Sequence, residues 1–230
     1  MAEKAAVWEF FGFATEGYFV EVGANDPFSL SQTWLLERVG WRGVLVEPLP
    51  DKCEALRGER PNSRVYEVAV SSEGKTGEAE FFVKGALSSL ERNIKDNRTA
   101  YDAIIRVKVV TLDSVLDDAK LPRVDFLSID TEGTEYDVLK GFSGDRHRPS
   151  LIMVEDLALT LRVHALLRGM GYRLIRRTGF NNWYVPNESP VRVPVIQRVK
   201  LFRKMILGTP LRALKFRWEK GKRGAGNGNG

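Results

Sequence analysis

The sequence predicts an α/β protein built on a mostly parallel β-sheet with helices on both of its faces. Short apolar runs alternate with segments of helical spacing over most of the 230 residues, and this rhythm is typical of a parallel sheet. The apolar runs end at glycine, proline or acidic residues, as buried strands do before a turn. The predicted strands cover residues 17–23, 43–47, 64–70, 124–130 and 150–156. The predicted helices cover residues 29–39, 51–56, 134–140 and 158–170, and an antiparallel pair, 172–176 with 182–185, closes the sheet.

Residues 71–110 interrupt this alternation. A polar turn over 71–77 precedes a predicted strand at 78–83, and a second short strand is predicted at 105–110. The stretch between them, 84–103, is polar and irregular, which is typical of a mobile loop. We interpret it as a substrate lid that carries Ser88, Ser89, Arg92, Asn93 and Tyr101.

The composition is that of an ordinary globular protein, with 43% hydrophobic and 28% charged residues. It excludes a disordered chain and a disulfide-stabilised miniprotein. Cys53 is the only cysteine, so neither an intrachain disulfide nor a cysteine-based zinc site can form. The first residues lack the pattern of a signal peptide, and no apolar stretch is long enough for a membrane span. We therefore expect a cytoplasmic protein.

The net charge of +5 is divided unequally between two parts of the chain. Residues 192–230 hold eleven Lys or Arg and one acid, for a net +10, and the rest of the chain carries −5. We predict a catalytic domain over 1–187 and a basic tail over 188–230. An acidic body disfavours a nucleic-acid surface.

The tail shows helical apolar spacing in two segments. Val195, Val199, Phe202 and Ile206 predict an amphipathic helix, a break is predicted at 208–210, and Leu211, Leu214 and Trp218 follow as a second stripe. Residues 221–230 are of low complexity and predicted to be disordered. The tail suits an anionic membrane surface, which would place the protein at the inner membrane face, or it docks on the acidic body or binds a partner protein.

The predicted strands end in residues suited to an adenosine ligand, because ligands of open parallel sheets bind at the carboxyl ends of the strands. Gly23 allows a tight turn, and Glu47 at the end of the next strand can accept hydrogen bonds from both ribose hydroxyls. A full G-x-G-x-x-G is missing, and the acids Glu21 and Asp26 would repel a pyrophosphate. S-adenosylmethionine carries no phosphate and is cationic, so the pattern favours it over NAD or ATP.

Six short motifs follow one another along the chain. They are GYFVEVGAND at 17–26, SQTWLLE at 31–37, GWRGVLVEP at 40–48, TLD at 111–113, DFLSIDTEGTE at 125–135 and LKG at 139–141. Together they resemble the FkbM-type S-adenosylmethionine-dependent methyltransferases, over about residues 17–185. The chain departs from that family at Pro27, where a glycine is frequent, and at Ser128, where a lysine is frequent.

The resemblance implies a class I methyltransferase fold, which is Rossmann-like, with a seven-stranded sheet whose last strand is antiparallel. It implies that Gly23 and Asn25 line the methionine portion of the cofactor and that Glu47, next to Pro48, binds the ribose. Ala69 and Val70 would border the adenine. Glu21, Asp26 and Asp130 complete the cofactor-binding residues that we expect.

Two further predicted strands end in acids, Asp130 with Glu132 and Glu155 with Asp156. Carboxylates that meet at one crevice need a compensating cation, and oxygen ligands suit Mg²⁺. Asp130, Glu155 and Asp156 match a layout similar to that of catechol-type O-methyltransferases and are the predicted metal ligands. Alternatively Asp130, Glu132 or Glu155 acts directly as catalytic base or substrate ligand.

Structural roles remain open for the same acids. Asp130 and Glu132 could cap the following helix, and Glu155 could form an ion pair with Arg173 or Arg176.

The function that we expect is O-methylation of a hydroxyl on a sugar, a glycan or a small natural product. The alternatives are a non-catalytic nucleoside-binding protein that works through its basic tail, and a nucleotide-dependent oxidoreductase. A nucleic-acid methyltransferase is disfavoured by the acidic body.

Overall fold

A computed structural model describes residues 2–91, 101–156 and 160–225 of the chain. Its strands are β1 (Tyr18–Val22), β2 (Arg42–Val46), β3 (Ser63–Tyr66), β4 (Ala69–Val70), β5 (Gly77–Val83), β6 (Ala103–Val110), β7 (Phe126–Ile129), β8 (Leu151–Glu155), β9 (Tyr172–Thr178) and β10 (Asn181–Pro186). Its α-helices are α1 (Ala2–Phe10), α2 (Trp34–Arg38), α3 (Pro50–Glu59), α4 (Leu112–Ala119), α5 (Glu135–Lys140), α6 (Arg162–Gly169), α7 (Val195–Phe202) and α8 (Gly208–Ala225).

The main sheet has seven strands in the order β3-β2-β1-β7-β8-β10-β9. The first five are mutually parallel, and β10 runs antiparallel to both of its neighbours. The predicted α/β class, the seven-stranded, mostly parallel sheet and the antiparallel last strand are therefore confirmed. Val22 pairs with Val46 on one side and with Ile129 on the other, so the carboxyl ends of the central strands lie at one edge.

The core has two layers, one on each face of the main sheet. Alternate residues of β1, β2, β7 and β8 pack on one side against α4, α5 and α6 and on the other against α1, α2 and α3. Phe19 and Val20 are adjacent in β1 and belong to opposite layers, as the two-residue period of a strand requires. Both faces are apolar because both are covered, and for this reason the strands appear in the sequence as continuous apolar runs.

A second, three-stranded sheet with the order β4-β6-β5 lies beside the main sheet. The predicted single strand over 64–70 is wrong in this respect, since β3 joins the main sheet while β4 pairs parallel with β6. The strands predicted at 78–83 and 105–110 form the antiparallel pair β5 and β6. Leu49, Ala69, Phe81, Val107 and Val109 form a small core of their own under this sheet.

Two predicted helices begin later than their apolar spacing indicates. The helix predicted from residue 29 begins at Trp34, because Ser31 and Thr33 bind a buried carboxylate on β1 instead of continuing a helix. The helix predicted over 158–170 begins at Arg162, and residues 157–159 lie outside the described residues.

The predicted break at 208–210 is also wrong, because the tail stays helical from Val195 to Ala225. A π-helical segment, Arg203–Leu207, joins α7 to α8. Pro210 cannot donate a backbone hydrogen bond. Side chains bind backbone carbonyls in the same region, since Thr209 Oγ1 donates to Met205 O and Arg212 Nη1 donates to Lys204 O at 2.7 Å.

In the described part of the chain, no helix combines the length and the apolar character that a membrane crossing requires. The predicted domain boundary at residues 187 and 188 stays a prediction. The predicted disorder of 221–230 is wrong for 221–225, which belong to α8, and 226–230 lie outside the described residues.

Candidate functional site

A cavity of about 290 Å³ opens at the carboxyl edge of the central strands, between the main sheet and the small one. The residues that follow β1, β2, β7 and β8 form its polar walls, and the small sheet and the loop after β5 supply apolar ones. Its lining includes Glu21, Gly23, Asn25, Glu47, Pro48, Ala69, Val70, Phe81, Asp130, Glu132 and Glu155. The fold thus brings most of the site residues predicted from the sequence to one place.

Gly23 forms the turn at the end of β1 and lies directly against the end of β7. Its φ of +82° is left-handed, and a Cβ at this position would lie 1.8 Å from the carbonyl oxygen of Asp130. Only glycine satisfies both conditions. The Gly23 and Ala24 N–H groups donate to Val46 O at 2.9 and 3.1 Å, which fixes the turn against β2.

Glu47 ends β2 and is 4% exposed, with its carboxylate on the cavity wall. Oε2 accepts a hydrogen bond from Asn25 N at 2.9 Å, and Oε1 accepts one from Leu49 N at 3.0 Å. Burial raises the pKa of Glu47, and these two backbone bonds oppose the increase. The carboxylate is therefore held in one orientation by the two turns that flank it, and each oxygen can accept further bonds.

Glu21, in contrast, has a structural role next to the cavity. Its carboxylate accepts hydrogen bonds from the hydroxyls of Ser31 and Thr33, both at 2.7 Å, and from Gln32 N. These bonds tie the loop between β1 and α2 to the sheet.

Arg60, at the end of α3, completes this buried network and was not found by sequence analysis. It forms an ion pair with Glu37 and donates to Thr33 Oγ1 at 2.8 Å and to Ser31 Oγ at 3.0 Å. Both members of the ion pair are nearly inaccessible to solvent. The pair joins residues 23 positions apart, and neither periodicity nor a motif indicates such a contact.

Asp26 lies outside the cavity lining. Its Oδ1 accepts hydrogen bonds from Phe28 N, Ser29 N and Ser29 Oγ at 2.8, 2.6 and 2.7 Å. These bonds lower the pKa of Asp26 against the opposing effect of its burial, and they shape the loop after Gly23.

Three carboxylates converge at the ends of β7 and β8. One carboxylate oxygen from each of Asp130, Glu132 and Glu155 lies within 4.8 Å of the other two. Burial, followed by the charge of Glu155 and a hydrogen bond shared with it, raises the pKa of Asp130 well above its usual range. Asp130 Oδ1 is buried, and no group in the described part of the chain donates a hydrogen bond to it. The cluster therefore holds a proton or attracts a cation or a hydroxyl donor.

Asp156, predicted as a metal ligand, is not part of this cluster, and Glu132 takes that place. Asp156 is bound through its backbone, since its N–H donates to Phe180 O and its carbonyl accepts from Arg177 Nη2, both at 2.9 Å. Successive residues at a strand end point to opposite sides, so Glu155 and Asp156 do not share one site.

Glu132 reaches the cluster because of a left-handed turn, with φ of +54° at Glu132 and +113° at Gly133. Glu135 holds this turn in place. Its Oε1 accepts hydrogen bonds from Gly133 N at 2.9 Å and Thr131 N at 3.0 Å, and burial raises its pKa to about 7. The carboxylate that binds the free N–H groups ahead of α5 is thus that of Glu135, a role that the sequence analysis gave to Asp130 or Glu132.

The arginines considered as ion-pair partners of Glu155 have other contacts. Arg173 Nη2 donates to the carbonyls of Ser189 and Val191 at 3.0 and 2.7 Å, and the Arg176 guanidinium lies 5.2 Å from the centre of the Trp183 ring.

The predicted lid is described only in part. Ser88 lines the cavity, and Ser89 is buried and donates to Thr131 O at 3.3 Å, which connects this loop to the turn after β7. Tyr101 packs against Phe82 with ring centres 5.0 Å apart. Arg92 and Asn93 lie outside the described residues.

The model of the methyltransferase FkbM domain family matches residues 21–174, which span every strand end of this cavity. The chain belongs to the FkbM methyltransferase domain family. The matched family is one of methyltransferase domains. No curated protein sequence matches the chain.

Three solved structures are similar to this chain at low sequence identity. The methyltransferase FkbM of Methylobacillus flagellatus KT is 16% identical with a TM-score of 0.48, over 74% of this chain and 44% of that one. The precorrin-6y C5,15-methyltransferase of Geobacter metallireducens GS-15 is 12% identical with a TM-score of 0.45, over 79% and 85%. A methyltransferase from Geobacter sulfurreducens is 13% identical with a TM-score of 0.43, over 79% and 77%. The chain thus spans less than half the length of the first of these proteins.

Proposed function

We propose that the protein transfers a methyl group from S-adenosylmethionine to a hydroxyl oxygen of a sugar, a glycan or a small natural product. The observation that carries the proposal is the meeting of Asp130, Glu132 and Glu155 at the same cavity that Gly23 and Glu47 line. The three carboxylates suit proton removal from a hydroxyl, and Gly23 with Glu47 suits a nucleoside.

The lining of the cavity fits S-adenosylmethionine. Gly23 allows the turn after β1 to lie directly against the end of β7, and Glu47 offers two oriented oxygens to a ribose. Ala69, Val70 and Phe81 give an apolar wall suited to an adenine. The acidic lining suits a cation and disfavours a pyrophosphate. When bound, the cofactor would supply an electrophilic methyl group on its sulfonium sulfur.

The carboxylate cluster supports methylation of oxygen because a hydroxyl must lose its proton to become a strong nucleophile. Burial and the charge of Glu155 raise the pKa of Asp130 to about 9, so Asp130 holds a proton more strongly than an ordinary carboxylate, which suits proton removal from a hydroxyl. Glu132, at the mouth of the same turn, would accept a hydrogen bond from a neighbouring hydroxyl of the acceptor. Orientation of the hydroxyl by these groups would supply the remaining part of the rate enhancement.

Mg²⁺ is a second means of offsetting the same charges. Three carboxylate oxygens within 4.8 Å of one another suit a hard divalent cation, with Glu132 in the place predicted for Asp156. A cation there would lower the pKa of an acceptor hydroxyl, so its removal would slow transfer at neutral pH more than at alkaline pH.

Family membership argues against a nucleotide-dependent oxidoreductase, and the carboxylate cluster argues against a protein that only binds a nucleoside. The experiment is a transfer assay with radiolabelled S-adenosylmethionine and two pools of acceptors, hydroxyl-bearing sugars and glycans in one and primary amines in the other. The proposal requires label in the hydroxyl pool with the wild type and a strong decrease with Glu155→Gln. Label confined to the amine pool would contradict it, and parallel reactions with EDTA and with added Mg²⁺ test the metal.

A further inference from the structure

The C-terminal helical segment, from α7 through α8, packs on the edge of the main sheet. Leu201, Met205 and Thr209 are its buried residues, and α7 contacts β9. Gln197 Nε2 donates to Ile175 O at 3.3 Å, and Arg177 Nη1 lies 3.7 Å from Met205 Sδ. These contacts fix the helix on the edge of the sheet.

An apolar stripe on the second half of the helix faces away from that contact. It consists of Leu207, Leu211, Leu214 and Trp218, which are 58% to 68% exposed. Their spacing of i, i+4, i+7 and i+11 places them on one side of a helix. Four large apolar side chains so exposed in one row are costly in water and are typical of an interaction surface.

A cationic groove of about 660 Å³ lies between β9 and the same helix. The groove is lined by six Lys and Arg side chains, those of Arg176, Arg177, Lys200, Arg203, Lys204 and Arg212. Leu207 and Leu211 of the apolar stripe also line it. The groove and the apolar stripe are therefore one continuous surface, with positive charge beside apolar side chains.

The tail and the rest of the chain carry net charges of opposite sign. The chain outside residues 192–230 carries −5 against +10 for the tail, and the helix meets the body through the buried side chains of Leu201, Met205 and Thr209. Arginine and lysine around exposed leucine and tryptophan form the combination that lies in the plane of an anionic bilayer, with the apolar side at the acyl boundary and the charges at the phosphates.

We propose that the helical segment from Val195 to Ala225 binds the surface of an anionic lipid bilayer. The apolar stripe enters the interface, and the cationic groove binds lipid phosphates. Arg177 connects this surface to the carboxyl edge of the sheet, since it lines the groove and donates to Asp156 O, directly after the cavity residue Glu155. Binding would therefore hold the cavity close to the membrane surface.

The test is flotation of the full chain with vesicles of phosphatidylcholine alone and of phosphatidylcholine with phosphatidylglycerol. We expect binding to the anionic vesicles only, weakened by added salt because surface electrostatics is screened. A wild type that stays at the bottom of the gradient, or that floats equally with neutral vesicles, would overturn the proposal.

Two triple variants separate the two parts of the surface. Leu207→Gln, Leu211→Gln and Leu214→Gln remove most of the apolar stripe at constant charge, and Lys200→Gln, Arg203→Gln and Lys204→Gln remove three charges from the cationic groove. The loss of three charges should raise the apparent Kd for anionic vesicles at least about tenfold, since each basic residue near the surface contributes about 1 kcal/mol. The loss of three leucines should raise the apparent Kd at least about tenfold as well, because less apolar surface can enter the interface.

Matched controls carry the same changes elsewhere on the surface. Phe13→Gln, Ile104→Gln and Phe180→Gln replace three exposed apolar residues, and Arg38→Gln, Lys108→Gln and Lys140→Gln remove three exposed charges. If the control variants bind anionic vesicles as weakly as the test variants do, the loss of binding depends on overall charge or hydrophobicity and not on this helix, and the proposal is overturned. A dimer that dissociates on loss of the apolar stripe and does not float, or binding to RNA without binding to vesicles, would also overturn it.

Discussion

The two sides of the cavity hold their carboxylates in different ways. On the side of β1 and β2, Glu21 and Glu47 accept hydrogen bonds from backbone and hydroxyl groups on neighbouring turns. On the side of β7 and β8, Asp130, Glu132 and Glu155 face one another, and none of the described residues donates a hydrogen bond to Asp130 Oδ1. The carboxylates of the first side are thus held by the surrounding protein, while those of the second side lie against one another.

This difference assigns different tasks to the two sides. Carboxylates with fixed partners have one orientation and suit recognition of a constant part of a ligand, such as a ribose. On the second side, burial and the neighbouring charge of Glu155 raise the pKa of Asp130, which suits a group that takes part in proton transfer. Changes on the first side should therefore alter affinity and folding, and changes on the second side should alter the rate of transfer and its pH dependence.

The largest expected effect is on folding at the first side. Gly23→Ala would place a Cβ 1.8 Å from Asp130 O at a left-handed φ, so we expect the free energy of unfolding to decrease by about 5 kcal/mol. Gly133→Ala on the second side has positive φ but nothing within 4 Å, so it should cost about 1 kcal/mol. Urea denaturation measures both, and equal losses would show that the Gly23 contact is not a structural requirement.

The next effect is on the rate of transfer at the second side. Glu155→Gln should lower kcat about a thousandfold, because it removes a carboxylate from the proton-accepting cluster. It also removes a repulsive charge next to Asp130, so the variant should unfold at a higher urea concentration than the wild type. The exposed Glu78→Gln is the control for a lost acid. A variant that transfers normally would exclude Glu155 from proton removal.

A smaller effect concerns the pH dependence of stability through Glu135. Burial raises its pKa from 4.5 to about 7, so its contribution to stability is complete below pH 4.5 and is lost as the pH rises through 7. Between these values the wild type should lose about 3 kcal/mol relative to Glu135→Gln, which keeps an oxygen to accept the Gly133 and Thr131 N–H groups.

Unfolding free energies of the wild type, Glu135→Gln and the exposed control Glu54→Gln at pH 5 and pH 8 measure this effect. If the difference between wild type and Glu135→Gln is the same at both pH values, Glu135 does not titrate in this window.

The strand ends could be predicted because parallel strands carry both their apolar runs and their terminal acids in contiguous sequence. Gly23, Glu47, Asp130 and Glu155 each follow such a run, and all four line one cavity. The register of adjacent parallel strands then brings residues far apart in sequence to one edge.

Contacts that depend on loop conformation could not be predicted in the same way. Glu132 joins the cluster through a left-handed turn, and Asp26 binds its own loop because Ser29 lies three residues away. The ion pair between Arg60 and Glu37 forms because α3 packs against the sheet, which brings the two residues together. The helix continues through Pro210, where the side chains of Thr209 and Arg212 bind nearby backbone carbonyls, a contact that apolar spacing does not indicate.

The most direct test of the division between the two sides is calorimetric titration with S-adenosylhomocysteine. Glu47→Ala should bind it about tenfold to a hundredfold more weakly than the wild type, because the ribose would lose its hydrogen bonds to the Glu47 carboxyl group. Glu155→Gln and the exposed Glu54→Gln should bind it with nearly unchanged affinity. Unchanged affinity in Glu47→Ala, in a variant that remains folded by circular dichroism, would contradict the nucleoside site that this cavity is proposed to form.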